Sequence, residues 1–318
     1  MVQNESFFES HDGTRLFLYR WTPEQPAKAA LHIVHGMAEH ALRYKRLAEK
    51  LTAQGIEVWA ADQRGHGKTA DLSVNKPDRG GLLGHCGDGA GFVPIKKDIH
   101  AINTEIKKTV NAPLFLLGHS WGSFLVQDYI EEYSGNLLIN GCILSGTKGP
   151  AASNLIFKAG IPVLSFLAAV RGQRKGSNIA KAMADGPYNK PFKPNRTSFD
   201  WISRDENEVD KYIADPFSGM LCSTGFYREL AKLIYHIHHG EEMAKINRNL
   251  PVYIFAGSDD PVGDMGASPT ALVNAYRNLG IVDLEFALYQ GARHETLNEI
   301  NREEVMNNLL SWLKKHFE

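Results

Sequence analysis

The pentapeptide Gly118-His119-Ser120-Trp121-Gly122 follows directly on the apolar run Pro113 to Leu117. The order reads as a strand, a sharp turn and a helix starting near Ser123. This context turns a G-x-S-x-G pattern into a nucleophile elbow. A side chain at 118 or 122 would crowd the turn. That turn pushes Ser120 into a strained backbone conformation with its hydroxyl exposed above the sheet. The competing reading is a glycine-bounded turn carrying a solvated serine, and the flanking strand and helix favour the elbow over it.

The rest of the chain supplies the setting. Ser6 to Ser10 and Thr14 to Trp21 read as strands joined at Asp12-Gly13, a strong hairpin signal. Further strands are expected at Leu31 to Val34, Ile56 to Ala61, Asn140 to Ser145, Pro251 to Phe255 and Asp283 to Tyr289. Helices are expected at Arg43 to Ala53, Pro94 to Thr109, from the elbow to Tyr133, at Thr270 to Leu279 and at Arg302 to Phe317. Strands alternating with helices predict an α/β fold, a mostly parallel sheet covered by helices on both faces. The first hairpin adds an antiparallel edge. Alternation stops after Gly146 and resumes at Pro251. The interruption is too long for an ordinary loop. The expected organisation is a core of 1–146 and 241–318 with an inserted helical cap at 147–240.

A serine hydroxyl needs a base, and the base needs an orienting group. In open α/β sheets such groups sit on loops at the carboxyl ends of strands. The last strand runs into Gly291-Ala292-Arg293-His294, and His294 is the only histidine on that loop. The strand before it runs into Gly257-Ser258-Asp259-Asp260-Pro261. Asp259 and Asp260 are adjacent and cannot both face His294, and Asp264 is a third candidate. The chain order Ser, Asp, His is that of an α/β-hydrolase. The oxyanion of such a reaction needs two backbone N–H groups. Trp121, after the serine, is one candidate. Met37, on the loop after His35-Gly36, is the other.

Composition narrows the class. A net charge of −1 leaves no basic face, so nucleic acid is not an expected partner. Cys86, Cys142 and Cys222 are widely spaced and odd in number, which argues against a disulfide framework and fits a cytoplasmic setting. Met1 to Ser10 has neither the basic start nor the apolar core of a signal peptide. The apolar stretch Leu155 to Val170 is broken by Lys158 and Pro162 and is too short for a membrane span. His236, His238 and His239 invite a metal reading, but their own segment supplies no completing ligands. Serine chemistry needs neither metal nor cofactor, and none is expected.

Taken together, five segments resemble the α/β-hydrolase superfamily, in particular its monoacylglycerol lipase and lysophospholipase-like branch, which is grouped with the serine aminopeptidases. They are His35-Gly36-Met37-Ala38-Glu39-His40 with Arg43-Tyr44, Asp62 to Gly67, the elbow, Gly257 to Asp260, and Gly291 to His294. The resemblance implies an α/β-hydrolase fold with a lid. It selects Asp260 as the acid and matches Met37 and Trp121 as oxyanion donors. It also implies that Glu39 and Arg43 line the glycerol end of a substrate pocket. A helix-terminal Glu paired with an Arg one turn later is the structural alternative for those two. One departure stands out: where monoacylglycerol lipases carry a second histidine, this chain has Leu297.

The expected function is serine-dependent hydrolysis of a small lipid ester, a monoacylglycerol or lysophospholipid, through an acyl-enzyme. The apolar stretch with Ile161, Val163, Leu164, Phe166, Leu167 and Val170 is expected first to pack the cap. It could also meet an acyl chain or touch a membrane surface transiently. Two other readings stay open. One is a proline iminopeptidase-like serine aminopeptidase, with Asp205, Glu206, Glu208 and Asp210 binding a peptide amino group. The other is a non-catalytic binding protein on the same fold.

Overall fold

The strands that carry the sheet are apolar along their whole length rather than alternating, which requires cover on both faces. A computed structural model describes residues 1–150 and 154–318, with side chains from 157 onward in the second segment. Among the described residues the strands are β1 (Val2–Glu9), β2 (Arg15–Thr22), β3 (Ala29–Val34), β4 (Ile56–Ala61), β5 (Leu114–His119), β6 (Gly141–Ser145), β7 (Val252–Gly257) and β8 (Leu284–Tyr289). They form one sheet in the order β1-β2-β4-β3-β5-β6-β7-β8. The pairs β1/β2 and β2/β4 are antiparallel, and the rest are parallel. Every residue of β3 to β7 is buried. β1 starts earlier than Ser6, and most of it is exposed. Its pairing with β2 holds Val2 to Glu5, which carry little apolar signal of their own.

The described residues form ten α-helices: α1 (Lys45–Thr52), α2 (Val93–Thr109), α3 (Trp121–Tyr133), α4 (Asn154–Arg171), α5 (Asn178–Ala184), α6 (Glu206–Ala214), α7 (Thr224–His236), α8 (Gly240–Met243), α9 (Ala267–Leu279) and α10 (Arg302–Phe317). Ile95, Ile99, Ile102 and Ile106 recur at helical spacing on α2 and pack with residues of α3 and α9 in one core. Leu47, Ala48 and Leu51 of α1 meet Val305, Leu309 and Trp312 of α10 in the other. Helices α4 to α8 lie between β6 and β7 in the chain. Leu164, Phe226, Leu230 and Ile234 from this stretch join the α2/α3 core. Three helices start at other positions than the pattern suggests. A short 3-10 turn, Ala41–Tyr44, precedes α1; α3 starts at Trp121, immediately after the serine; and α9 starts at Ala267 with Pro269 in its first turn. No helix among the described residues is long and apolar enough to cross a membrane.

One buried ion cluster ties distant segments together. Arg64, 2% exposed, donates to both carboxylate oxygens of Asp98 on α2 at 2.7 and 2.8 Å. It also donates to both oxygens of Asp12 in the β1–β2 turn at 2.8 and 2.9 Å. Ser10 donates its hydroxyl to Asp98 as well. Removing the guanidinium would leave Asp98 buried without its cation, a change that costs about 3–5 kcal/mol. Arg64→Met should lose about that much stability in urea unfolding.

Candidate active site

The elbow is built from contacts that admit no side chain. A Cβ on Gly118 would sit 2.4 Å from the Gly122 carbonyl oxygen, and one on Gly122 would sit 2.1 Å from that of Val34. The helix α3 is thereby pressed against the end of β3. Ser120 is held at φ 53°, ψ −124°, a conformation rare for a residue with a side chain. Its N–H donates to the Ser145 carbonyl at 2.9 Å, so β6 supports the strained residue.

His294 lies on the loop after β8, buried, with Nδ1–H donating to both oxygens of Asp260 at 3.0 Å. Asp260 is fully buried on the loop after β7 and accepts a further bond from the Val262 N–H at 2.9 Å. Asp259 points elsewhere: its carboxylate accepts from the Ser258 hydroxyl, and its N–H donates to the Ala292 carbonyl. The Asp264 carboxylate lies 3.4 Å from the Lys148 ammonium. Of the three aspartates raised by the sequence, Asp260 is therefore the one on the imidazole. Burial alone would lower the His294 pKa. The Asp260 carboxylate, with Glu295 and Glu39 behind it, outweighs burial and raises it. The same pairing holds Asp260 below the usual carboxylate range despite burial.

Ser120 and His294 line one cavity, with no hydrogen bond between hydroxyl and ring among the described residues. The cavity encloses about 650 Å³ of non-atom space, part of it open to solvent. Met37 and Trp121 line it too, and neither backbone N–H is used in a loop or turn hydrogen bond among the described residues.

Two buried neutral histidines shape the Met37 loop. His35 donates from Nδ1 to the Gly36 carbonyl and accepts the Gln63 N–H at Nε2. His66 donates from Nδ1 to the Arg64 carbonyl and accepts the Ala38 N–H at Nε2. Burial pushes both rings down to about 3, so each keeps one nitrogen free to accept. The Asp62-to-Gly67 segment is part of the same scaffold. Asp62 accepts the Ala41 and Lys68 N–H groups, and a Cβ on Gly67 would lie 2.2 Å from its carboxylate.

Glu39 and Arg43 form a buried network behind this loop. Glu39 accepts from the Gly36 N–H at 2.6 Å, the Tyr44 hydroxyl at 2.8 Å and Arg43 at 2.7 Å. Arg43 also grips both oxygens of Glu295 at 2.7 Å. Glu39 reaches the cavity wall; Arg43 lines an adjoining cleft with Glu39, His119 and Glu295. Glu295 was not singled out in the sequence, although it is the neighbour of His294. The interrupting segment adds Phe157, Tyr188, Trp201, Tyr212, Leu230 and Ile234 to the cavity wall. From the apolar stretch, Leu164 is buried, Ile161 is partly buried, and Val163, Phe166 and Val170 face solvent. The side chains of Leu155 and Ile156 lie outside the described residues. The cysteines are free and buried.

The chain belongs to the serine aminopeptidase S33 family, whose model matches residues 25–301. It is 27% identical to a monoacylglycerol lipase of Mycolicibacterium smegmatis, over 99% of this chain and 98% of that one. It is 25% identical to a monoglyceride lipase of Rattus norvegicus, over 94% and 85%. A thermostable carboxyl esterase from Bacillus coagulans, solved with glycerol, superposes with a TM-score of 0.88 at 27% identity, covering the whole of both chains. The fold is that of the α/β-hydrolases, and the chain is a hydrolase of the lipase and esterase class.

The electrostatics set a pH dependence. A base works unprotonated, so with His294 as the candidate base the rate should fall as pH drops through its raised pKa. Asp260→Asn removes the carboxylate that raises it. The acid limb of kcat/KM on a nitrophenyl ester should move to lower pH while the maximum falls by about 10⁴. Asp259→Asn should leave both unchanged.

Proposed function

We propose that the chain is a serine hydrolase cleaving carboxylic esters of small lipids, a monoacylglycerol or a lysophospholipid. The Ser120 hydroxyl attacks the ester carbonyl while His294 Nε2 takes its proton. The oxyanion is held by the N–H groups of Met37 and Trp121. As the intermediate collapses, His294 returns the proton to the leaving alcohol, and an acyl-enzyme remains. A water deprotonated by His294 then releases the fatty acid. Asp260 keeps the ring in the tautomer with Nδ1 protonated and stabilises its charged form. Residues 147–240 act as the cap that sets the acyl pocket.

The observation that carries this reading is the cavity itself: Ser120 and His294 stand beneath a wall of Phe157, Trp201, Leu230 and Ile234. Such a wall suits an acyl chain. On α4, Val163, Phe166 and Val170 share one exposed face, which fits brief contact of the cap with a lipid surface. The aminopeptidase reading needs a free anionic group for a peptide amine. The four candidate acids already stand beside this chain's own cations: Asp205 by Arg302, Glu206 and Asp210 by Arg196, and Glu208 by Arg46 and Lys211.

Initial rates of wild type and Ser120→Ala decide the matter on monoacylglycerols, lysophosphatidylcholine, nitrophenyl esters, and prolyl and alanyl nitroanilides. The lipid esters should be cleaved, and Ser120→Ala should lose roughly 10⁶ in kcat with its unfolding transition intact. Turnover confined to the nitroanilides would replace the lipase with an aminopeptidase. No serine-dependent turnover on any of them would favour a binding role.

A further inference from the structure

Away from the catalytic cavity, two helices end against each other with an excess of carboxylates between them. Asp128 and Glu131 are three residues apart on α3 and so share a face near its carboxyl end. His236 is the last residue of α7. Ligand atoms of these three side chains all lie within 4.8 Å of one another, and His236 Nε2 is 3.8 Å from Asp128 Oδ1. Glu131 is only 3% exposed, and among the described residues neither of its carboxylate oxygens has a hydrogen-bond partner. A buried carboxyl left without a partner is costly unless something else completes it. The carboxyl ends of both helices add partial negative charge at the same spot. Glu242 on α8 lies 3.6 Å from His236 Nε2.

The geometry points to a site for a divalent transition-metal ion of the zinc class, held by Asp128, Glu131 and His236. Two carboxylate oxygens and one imidazole nitrogen are a zinc-type donor set that leaves an open position. Zinc ligands at about 2.0–2.2 Å from the ion stand roughly 3.3 Å apart, so the three groups must draw closer than 4.8 Å. His236, whose side chain is 50% exposed, has the freedom to move. Among the described residues the lysine in direct contact is Lys96, which donates to Asp128 at 2.8 Å and lies 2.6 Å from Glu132. Glu132 can keep that ammonium when Asp128 turns to the metal. The bound ion would join α3, which begins at the residue after Ser120, to α7, which supplies Leu230 and Ile234 to the cavity wall. Its role is that of a clamp between core and inserted segment, with no part in the ester chemistry.

The test is calorimetric titration of the full chain, stripped with a chelator, with zinc chloride, alongside thermal unfolding with and without the ion. One equivalent should bind, and Tm should rise by several degrees on saturation. Glu131→Gln keeps the shape of the side chain, and His236→Ala alters a half-exposed position, so both should fold. Each should weaken binding at least about tenfold and abolish the Tm rise. His239→Ala, an exposed neighbour, should change neither. No saturable binding by wild type would overturn the site. So would a loss confined to one of the two ligand variants, or an equal loss in His239→Ala.

Discussion

The site depends on how closely α3 can approach the end of β3. Gly122 faces the Val34 carbonyl so nearly that a single methyl group would overlap it, and Gly118 is equally closed by the first turn of α3. That approach strains Ser120, and the strain is borne by a hydrogen bond to β6 and by the packing of α3 itself. Because the strand, turn and helix are locked together, the serine hydroxyl, the N–H of Trp121 and the loop after β3 have fixed relative positions. His66 stacks on Trp121 with ring centroids 5.0 Å apart, so the Met37 loop and the elbow are held by the same ring.

Around this rigid centre the charges are arranged to keep one histidine basic and two others neutral. His294 faces Asp260 and gains basicity in spite of burial. His35 and His66 are buried without a carboxylate in hydrogen-bond contact and remain neutral, which lets each accept a backbone N–H. The same residue type thus serves as candidate base and as scaffold, and the difference lies in what each ring touches.

The strands of the sheet and the elbow were legible because their signals are local: continuous apolar runs, glycines at fixed offsets, and prolines near helix starts. The acid was harder. Asp259 and Asp260 are neighbours, and spacing alone cannot say which way either points. A hydrogen bond from the Asp260 N–H to the Gly257 carbonyl belongs to the turn that orients them, and that turn is a matter of backbone conformation. Glu39 and Arg43 were visible as a pair one turn apart, but not the grip of Arg43 on Glu295, 252 positions away in the chain. The same holds for Arg64 with Asp98 and for His236 with Asp128. Each partner lies on another element, so no periodicity or motif announces it. Tyr188, Trp201 and Tyr212 reach the cavity only because the segment between β6 and β7 folds back over the sheet.

The Arg43–Glu295 pair also bears on when the protein becomes competent. Glu39 and Arg43 leave the ribosome early in synthesis, whereas His294 and Glu295 follow the last strand. The loop at Gly36 is braced by Glu39, and Glu39 is braced through Arg43 from the far end of the chain. A growing polypeptide therefore carries its serine for most of its synthesis without the ring or the brace that complete the pocket. On the proposed mechanism, activity should therefore appear only late in synthesis, once the loop after β8 has delivered the candidate base and the brace together.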